Sequence, residues 1–227
     1  MGDITKHERV NDILLGPLER PALRWLAAHV PPWITPDRCT GIGILGAIGV
    51  MISYGLTVFS PAFLWLASFF FIVNWFGDSL DGTLARYRHI ERPVYGFFLD
   101  HTVDAVTEVF MFLGFGLTPH ISYFSASLAL IGYLILSVLA YVRTSVVGEF
   151  KISYGHLGPT EVRVLAILLN AYMFFGGVRF WELPLVGGMT LRISPYDVIM
   201  LGIAVLLYYF FINTAWREAL QLKRAGK

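Results

Sequence analysis

Charge is scarce in this sequence. Asp, Glu, Lys and Arg make up 15% of its 227 residues, against about 25% in a soluble globular domain. Between Cys39 and Gly77 there is none at all. A chain that is 56% hydrophobic, with mean hydropathy +0.63, reads as an integral membrane protein. Cysteine is nearly absent too: Cys39 stands alone, which excludes an intrachain disulfide. The first forty residues lack a continuous apolar core followed by a small-residue cleavage site, so no secretory signal peptide is expected. No internal repeat or low-complexity tract is visible, and with a net charge of +1 no nucleic-acid partner is expected.

What is present is a series of apolar runs with polar punctuation. Residues 7–30 mix Val10, Ile13, Leu14, Leu18, Leu23, Trp25 and Leu26 with charged residues. That pattern suits an amphipathic helix at the membrane interface, broken near Gly16-Pro17 and Arg20-Pro21; packing on a transmembrane bundle is the other reading. Pro31-Pro32 and Thr35-Pro36 end the segment, and Thr35 or Asp37 caps the next helix. The uncharged stretch exceeds the roughly 20 residues of one crossing, and Ser60-Pro61 divides it into two spans. Further spans are expected over 96–117, 121–142, from about Arg163 to Val178, and 198–216, with 179–194 as loop. The expected fold is therefore all-α and integral to the membrane: an N-terminal interfacial segment over 1–38, a six-helix transmembrane domain over 39–216, and a basic tail over 217–227.

With six spans both termini share a side. Of the 17 Lys and Arg residues, only Arg179 and Arg192 fall on the other one. The positive-inside rule then makes the termini cytoplasmic.

The acids are concentrated where apolar sequence gives out. Asp78-Ser79-Leu80-Asp81-Gly82-Thr83-Leu84-Ala85-Arg86 closes the second span, and Gly96-Phe97-Phe98-Leu99-Asp100-His101-Thr102-Val103-Asp104 opens the third. In helices, Asp78 and Asp81 share one face and Asp100 and Asp104 another. A short loop joins the two helices, so the four acids are expected to converge on the cytoplasmic side. Carboxylates at a membrane boundary are costly without compensation. Clustered this closely they repel, so some are protonated or a metal neutralises them. No His or Cys cluster is available, and all-oxygen ligation favours one or two Mg²⁺ or Mn²⁺ ions, or Ca²⁺, over zinc. Gly82 and Ala85 lie on the face of Asp78 and Asp81 and leave room for a flat ligand beside the backbone.

These residues resemble the signature of the CDP-alcohol phosphotransferase family, D-x-x-D-G-x-x-A-R, a spacer, then G-x-x-x-D-x-x-x-D. Every fixed position is present. The resemblance implies a core of six transmembrane helices, often a homodimer. It implies transfer of a substituted phosphate from a CDP-alcohol to the hydroxyl of a second alcohol, one of the two being a lipid, with release of CMP. It makes Asp78, Asp81, Asp100 and Asp104 metal-associated and assigns the CDP moiety to Gly82, Ala85 and Arg86. Asp104 is also its general base, a role that suits a carboxylate beside a metal.

The donor stays open between two branches of the family. His101 in Asp-His-x-x-Asp, with Gly158-Pro159-Thr160-Glu161, is similar to enzymes that join a CDP-aminoalcohol to diacylglycerol, although their additional helices are not seen here. Compact prokaryotic members use CDP-diacylglycerol or an ether analogue with a water-soluble alcohol. For such an acceptor, Arg143, Lys151 and Arg163 are candidates to hold a phosphate; positive-inside topology explains the same three residues. Two other readings of the acids remain. One is helix caps and salt bridges with Arg86, Arg88 and Arg92. The other is a cation or proton transporter using intramembrane carboxylates, which needs acids in further spans, where only Glu108 qualifies.

Overall fold

The computed structural model describes residues 14–147, 158–184 and 190–224. These residues form helices α1 (Gly16–His29), α2 (Pro36–Leu56), α3 (Phe63–Tyr87), α4 (Pro93–Gly116), α5 (Tyr123–Val147), α6 (Pro159–Gly176) and α7 (Pro195–Arg224). The protein is an all-α integral membrane protein. By length and composition α2, α3, α5 and α7 are each able to cross a membrane. Helices α4 and α6 lie between them but carry Asp100, Asp104 and Glu108, and Glu161 and Arg163.

Proline and polar caps set the helix starts. Thr35 Oγ1 accepts from the Arg38 N–H at the head of α2, where Pro36 takes the first turn. Pro93 and Pro159 open α4 and α6 in the same way, in positions where the missing N–H has no intrahelical partner to lose. Helix α3 ends through His89, which takes φ 56°.

Two expectations change. Pro21 does not break the first helix: α1 starts at Gly16, has Pro17 in its first turn and runs through Pro21. A proline this near the start deprives only a carbonyl of that first turn. The stretch read as loop after α6 holds an antiparallel ribbon, β1 (Trp181–Pro184) with β2 (Thr190–Ile193), in which Trp181 pairs with Ile193. Its strands are too short to show an alternating pattern. The basic segment after Trp216 continues α7 as far as Arg224.

Helix α2 is the spine of the bundle, packing on α3 and on α4. Small residues make the first contact close. A Cβ on Gly77 would stand 2.2 Å from the Gly43 nitrogen, and one on Gly46 would stand 2.6 Å from the Asn74 nitrogen. Deeper in the bundle Tyr54, Phe71 and Phe115 share an aromatic core. There the Tyr54 hydroxyl donates to Asn170 Oδ1 (2.8 Å) and Asn170 Nδ2 to Ser68 Oγ (3.0 Å), linking α2, α6 and α3. Helix α6 packs on α3 and α7 on α5, and between these groups lies a large cavity.

Candidate active site

The loop between α3 and α4 is short, yet the two helices lean on α2 more than on each other. The space this leaves is the cavity, about 1560 Å³ in volume. Its lining includes Asp37, Arg86, Glu91, Arg92 and both acid pairs, together with apolar side chains: Phe112 and Phe115 from α4, Leu168 and Tyr172 from α6, and Ile203, Leu206 and Phe210 from α7. Of the apolar set, Leu168, Tyr172, Ile203 and Leu206 are exposed.

Asp78, Asp100 and Asp104 come together: each offers a carboxylate oxygen, and the three oxygens lie within 4.8 Å of one another. Asp78 is held from α6. Arg163 on α6 donates through Nη2 to Asp78 Oδ2 (2.6 Å) and through Nε to Asn74 Oδ1 (2.7 Å), while Asn74 Nδ2 donates to the Gly43 carbonyl (2.9 Å). The chain of bonds runs from α2 through α3 to α6. Three carboxylates this close repel one another, and an all-oxygen donor set of this size fits a hard divalent cation such as Mg²⁺ or Mn²⁺.

Asp81 lines the same cavity but stands outside that group. Its Oδ2 accepts from Thr40 Oγ1 (2.7 Å) and its Oδ1 from the Gly82 N–H (2.5 Å). Gly82, Ala85 and Arg86 line the cavity one turn further on. The space over Gly82 holds the Arg86 side chain: a Cβ there would meet its guanidinium at 3.3 Å. His101 stacks on Phe97 (4.1 Å between centroids) and its Nδ1 lies 2.8 Å from the Phe97 carbonyl.

Of the three candidate phosphate cations, two lie among the described residues. Arg163 is buried against Asp78. Arg143 Nε pairs with Glu218 on α7 at 2.7 Å. Lys151 lies outside the described residues. Glu161 is a helix-cap residue: its Oε2 accepts from the Gly158 N–H (2.9 Å) and its Oε1 from the Leu15 N–H (2.7 Å). Thr40 and Glu19 carry no signal in the sequence, because their partners lie across helix interfaces and leave no local spacing to read.

The family model for CDP-alcohol phosphatidyltransferase matches residues 33–216. Cholinephosphotransferase 1 of Danio rerio is 30% identical over 201 residues, covering 83% of this chain and 51% of that protein. The counterpart in Gallus gallus is 27% identical over 213 residues, covering 87% and 61%. The chain thus spans little more than half the length of these relatives. Phosphatidylinositol phosphate synthase of Cutibacterium acnes is 37% identical over 94 residues, 40% of each chain. A solved phosphatidylinositol phosphate synthase of Mycobacterium tuberculosis, with CDP-DAG bound, superposes with a TM-score of 0.53 at 22% identity, covering 89% of this chain and 94% of that one; it shares the fold. The aspartate hairpin, the helical bundle that holds it and a family match running nearly the length of that bundle agree, and the chain belongs to the CDP-alcohol phosphatidyltransferase family.

Proposed function

We propose that the protein transfers a substituted phosphate from a CDP-alcohol to the hydroxyl of a second alcohol, one of the two being a membrane lipid, and releases CMP. The observation that carries this is the trio Asp78, Asp100 and Asp104 within 4.8 Å, lining one cavity together with charged and apolar side chains. A charged nucleotide and a lipid can meet in such a cavity. The acids gather near one end of the bundle, a poor layout for a transporter, which needs polar stations across the bilayer.

Asp78, Asp100 and Asp104 would hold Mg²⁺ or Mn²⁺, one or two ions, with Asp81 beside them. When bound, the metal supplies positive charge to the diphosphate oxygens. Arg86 and the backbone at Gly82 and Ala85 face the CDP moiety. The acceptor oxygen attacks the phosphorus distal to cytidine, a new P–O bond forms, and the bond to the CMP oxygen breaks. Asp104 takes the hydroxyl proton. All six long helices cross the membrane in this reading, with both termini and the aspartate site cytoplasmic, and the protein works as a homodimer.

For the donor, Arg143 pairs with Glu218, while Arg163 binds Asp78 and Asn74 but keeps Nη1 without a partner at the cavity wall, so these two cations do not choose between a neutral and a phosphorylated acceptor. The likeness to cholinephosphotransferases supports a CDP-aminoalcohol donor and a diacylglycerol acceptor. The likeness to a phosphatidylinositol phosphate synthase over 94 residues favours the reverse, CDP-diacylglycerol with a polar alcohol. CMP release by purified protein with Mg²⁺ tests both, given CDP-choline or CDP-ethanolamine with diacylglycerol in one arm and CDP-diacylglycerol with a panel of polar alcohols in the other. The first arm is expected to be active. Release only in the second reverses the donor, and release in neither removes the transferase reading.

A further inference from the structure

We infer that Glu19, on the surface helix α1, is a positioning residue for the aspartate site: its carboxylate ties α3 to α6 on either side of Asp78. The inference rests on the reading of Asp78 as a metal ligand.

Glu19 Oε1 accepts three hydrogen bonds, from Trp75 Nε1 (2.8 Å), Ser79 Oγ (3.1 Å) and Thr160 Oγ1 (2.7 Å). Trp75 and Ser79 belong to α3 and flank Asp78 in sequence. Thr160 lies in the first turn of α6, one turn before Arg163, whose guanidinium binds Asp78 from the other side. Two cross-links therefore join the same pair of helices at and beside Asp78. One is its own bond to Arg163; the other runs through Glu19. An ionised carboxylate only accepts, so a single side chain can collect three donors from two helices.

The tie is itself secured. At the head of α1 the Leu15 N–H donates to Glu161, the cap of α6. At its end the Arg88 guanidinium, just beyond α3, donates to the carbonyls of Val30 (3.0 Å), Pro31 (3.1 Å), Pro32 (3.4 Å) and Ile34 (2.6 Å). Leu23 and Ala27 pack against Leu80 and Leu84 between these points. The opposite side of α1 exposes Leu18 (75%) and Trp25 (61%), a face suited to the interfacial layer of a bilayer. Glu19 is thus fixed on a helix whose both ends are bonded to the elements that carry the site.

Removing the carboxylate leaves the Trp75 indole N–H without this partner and cuts one of the links between α6 and α3 beside Asp78, leaving the Arg163 bonds to hold them. Residues that orient metal ligands typically change metal affinity by about 10- to 100-fold when lost. Glu19 acts through neighbours of the ligand, so the low end is expected. The test is Mn²⁺ binding by electron paramagnetic resonance to the full chain in phosphatidylcholine nanodiscs, a measurement that needs no substrate. Glu19→Ala is expected to weaken Mn²⁺ binding by about 10-fold, and Glu19→Gln, which keeps an acceptor oxygen, to restore most of it. Thr160→Val removes only the arm to α6 and is expected to fall between them; it carries the test if Glu19→Ala does not fold. Asp78→Asn is the reference and is expected to lose more affinity than any of these. Wild-type Mn²⁺ binding in Glu19→Ala or Thr160→Val, or a Gln variant as weak as the Ala variant, overturns the inference while Asp78→Asn stays defective. Wild-type binding in Asp78→Asn overturns the ligand reading itself.

Discussion

Gly77→Ala is the most informative single substitution in this bundle, because it adds one methyl at the contact that places Asp78. The new Cβ would stand 2.2 Å from the Gly43 nitrogen, 2.5 Å from the Cys39 carbonyl oxygen and 2.6 Å from the Gly43 Cα. All three atoms are α2 backbone, so no side chain can rotate away. Restoring an ordinary contact of roughly 3.5 Å separates α3 from α2 by about 1 Å. Overpacking of this kind costs about 1–3 kcal/mol, and the gain in helix propensity from Gly to Ala, about 1 kcal/mol, offsets part of it. The modest net loss of stability conceals a larger functional effect. Asp78 is the next residue and moves with α3, while Asp100 and Asp104 stay with α4. A displacement near 1 Å of a reacting group costs about 100-fold in rate. Thermal unfolding in detergent and CMP release at saturating Mg²⁺ should be measured together, with Gly41→Ala as the control. Gly41 lies on α2, the partner helix in this crossing, and a Cβ there meets nothing within 4 Å. The control is expected to keep its activity and match or exceed wild-type stability. Wild-type CMP release by Gly77→Ala would refute the argument that this crossing sets the geometry of the acids.

Asp104→Asn is expected to abolish CMP release while CDP binding in the presence of Mg²⁺ persists; full activity in that variant removes Asp104 as the base. Asp81→Asn is expected to impair metal and nucleotide binding together, since its carboxylate orders both Thr40 and the Gly82 backbone, and an unchanged Mg²⁺ dependence of CMP release counts against it. Glu161→Ala strands the Gly158 and Leu15 N–H groups, each worth about 1–3 kcal/mol when left without a partner. Its melting temperature should drop, and an unaltered melting curve would show that the cap contributes nothing.

Local chemistry made part of this molecule legible in advance. The uncharged stretch and Ser60-Pro61 mark α2 and α3, because a membrane span needs only length and apolarity. The i, i+3 and i, i+4 spacing of the aspartates marks the site, because helical periodicity alone puts each pair on one face. Contacts between distant segments left no such trace. Arg163, a candidate phosphate ligand by sequence, also binds Asp78 across 85 residues, a contact no local pattern signals. Glu161 matched a sequence element, yet its oxygens hold backbone N–H groups of α6 and of the chain entering α1. The fourth acid, Asp81, shares a helix face with Asp78 as its spacing requires. Thr40, on a different helix, donates to it, and it stands outside the group that the other three form.

The cavity is lined by Glu91 and Arg92 and also by Leu206 and Phe210, and charged and apolar walls suit different molecules. Under the proposed chemistry, what arrives by water leaves by water, and what arrives through the bilayer leaves through it. CMP and the finished lipid then depart by separate routes and do not queue for one door. Accumulation of lipid product in the surrounding membrane would slow turnover without affecting nucleotide exit, and free CMP would compete with the donor without touching the lipid path. Inhibition by the two products should therefore be separable in steady-state kinetics, one depending on membrane composition and the other on the aqueous phase.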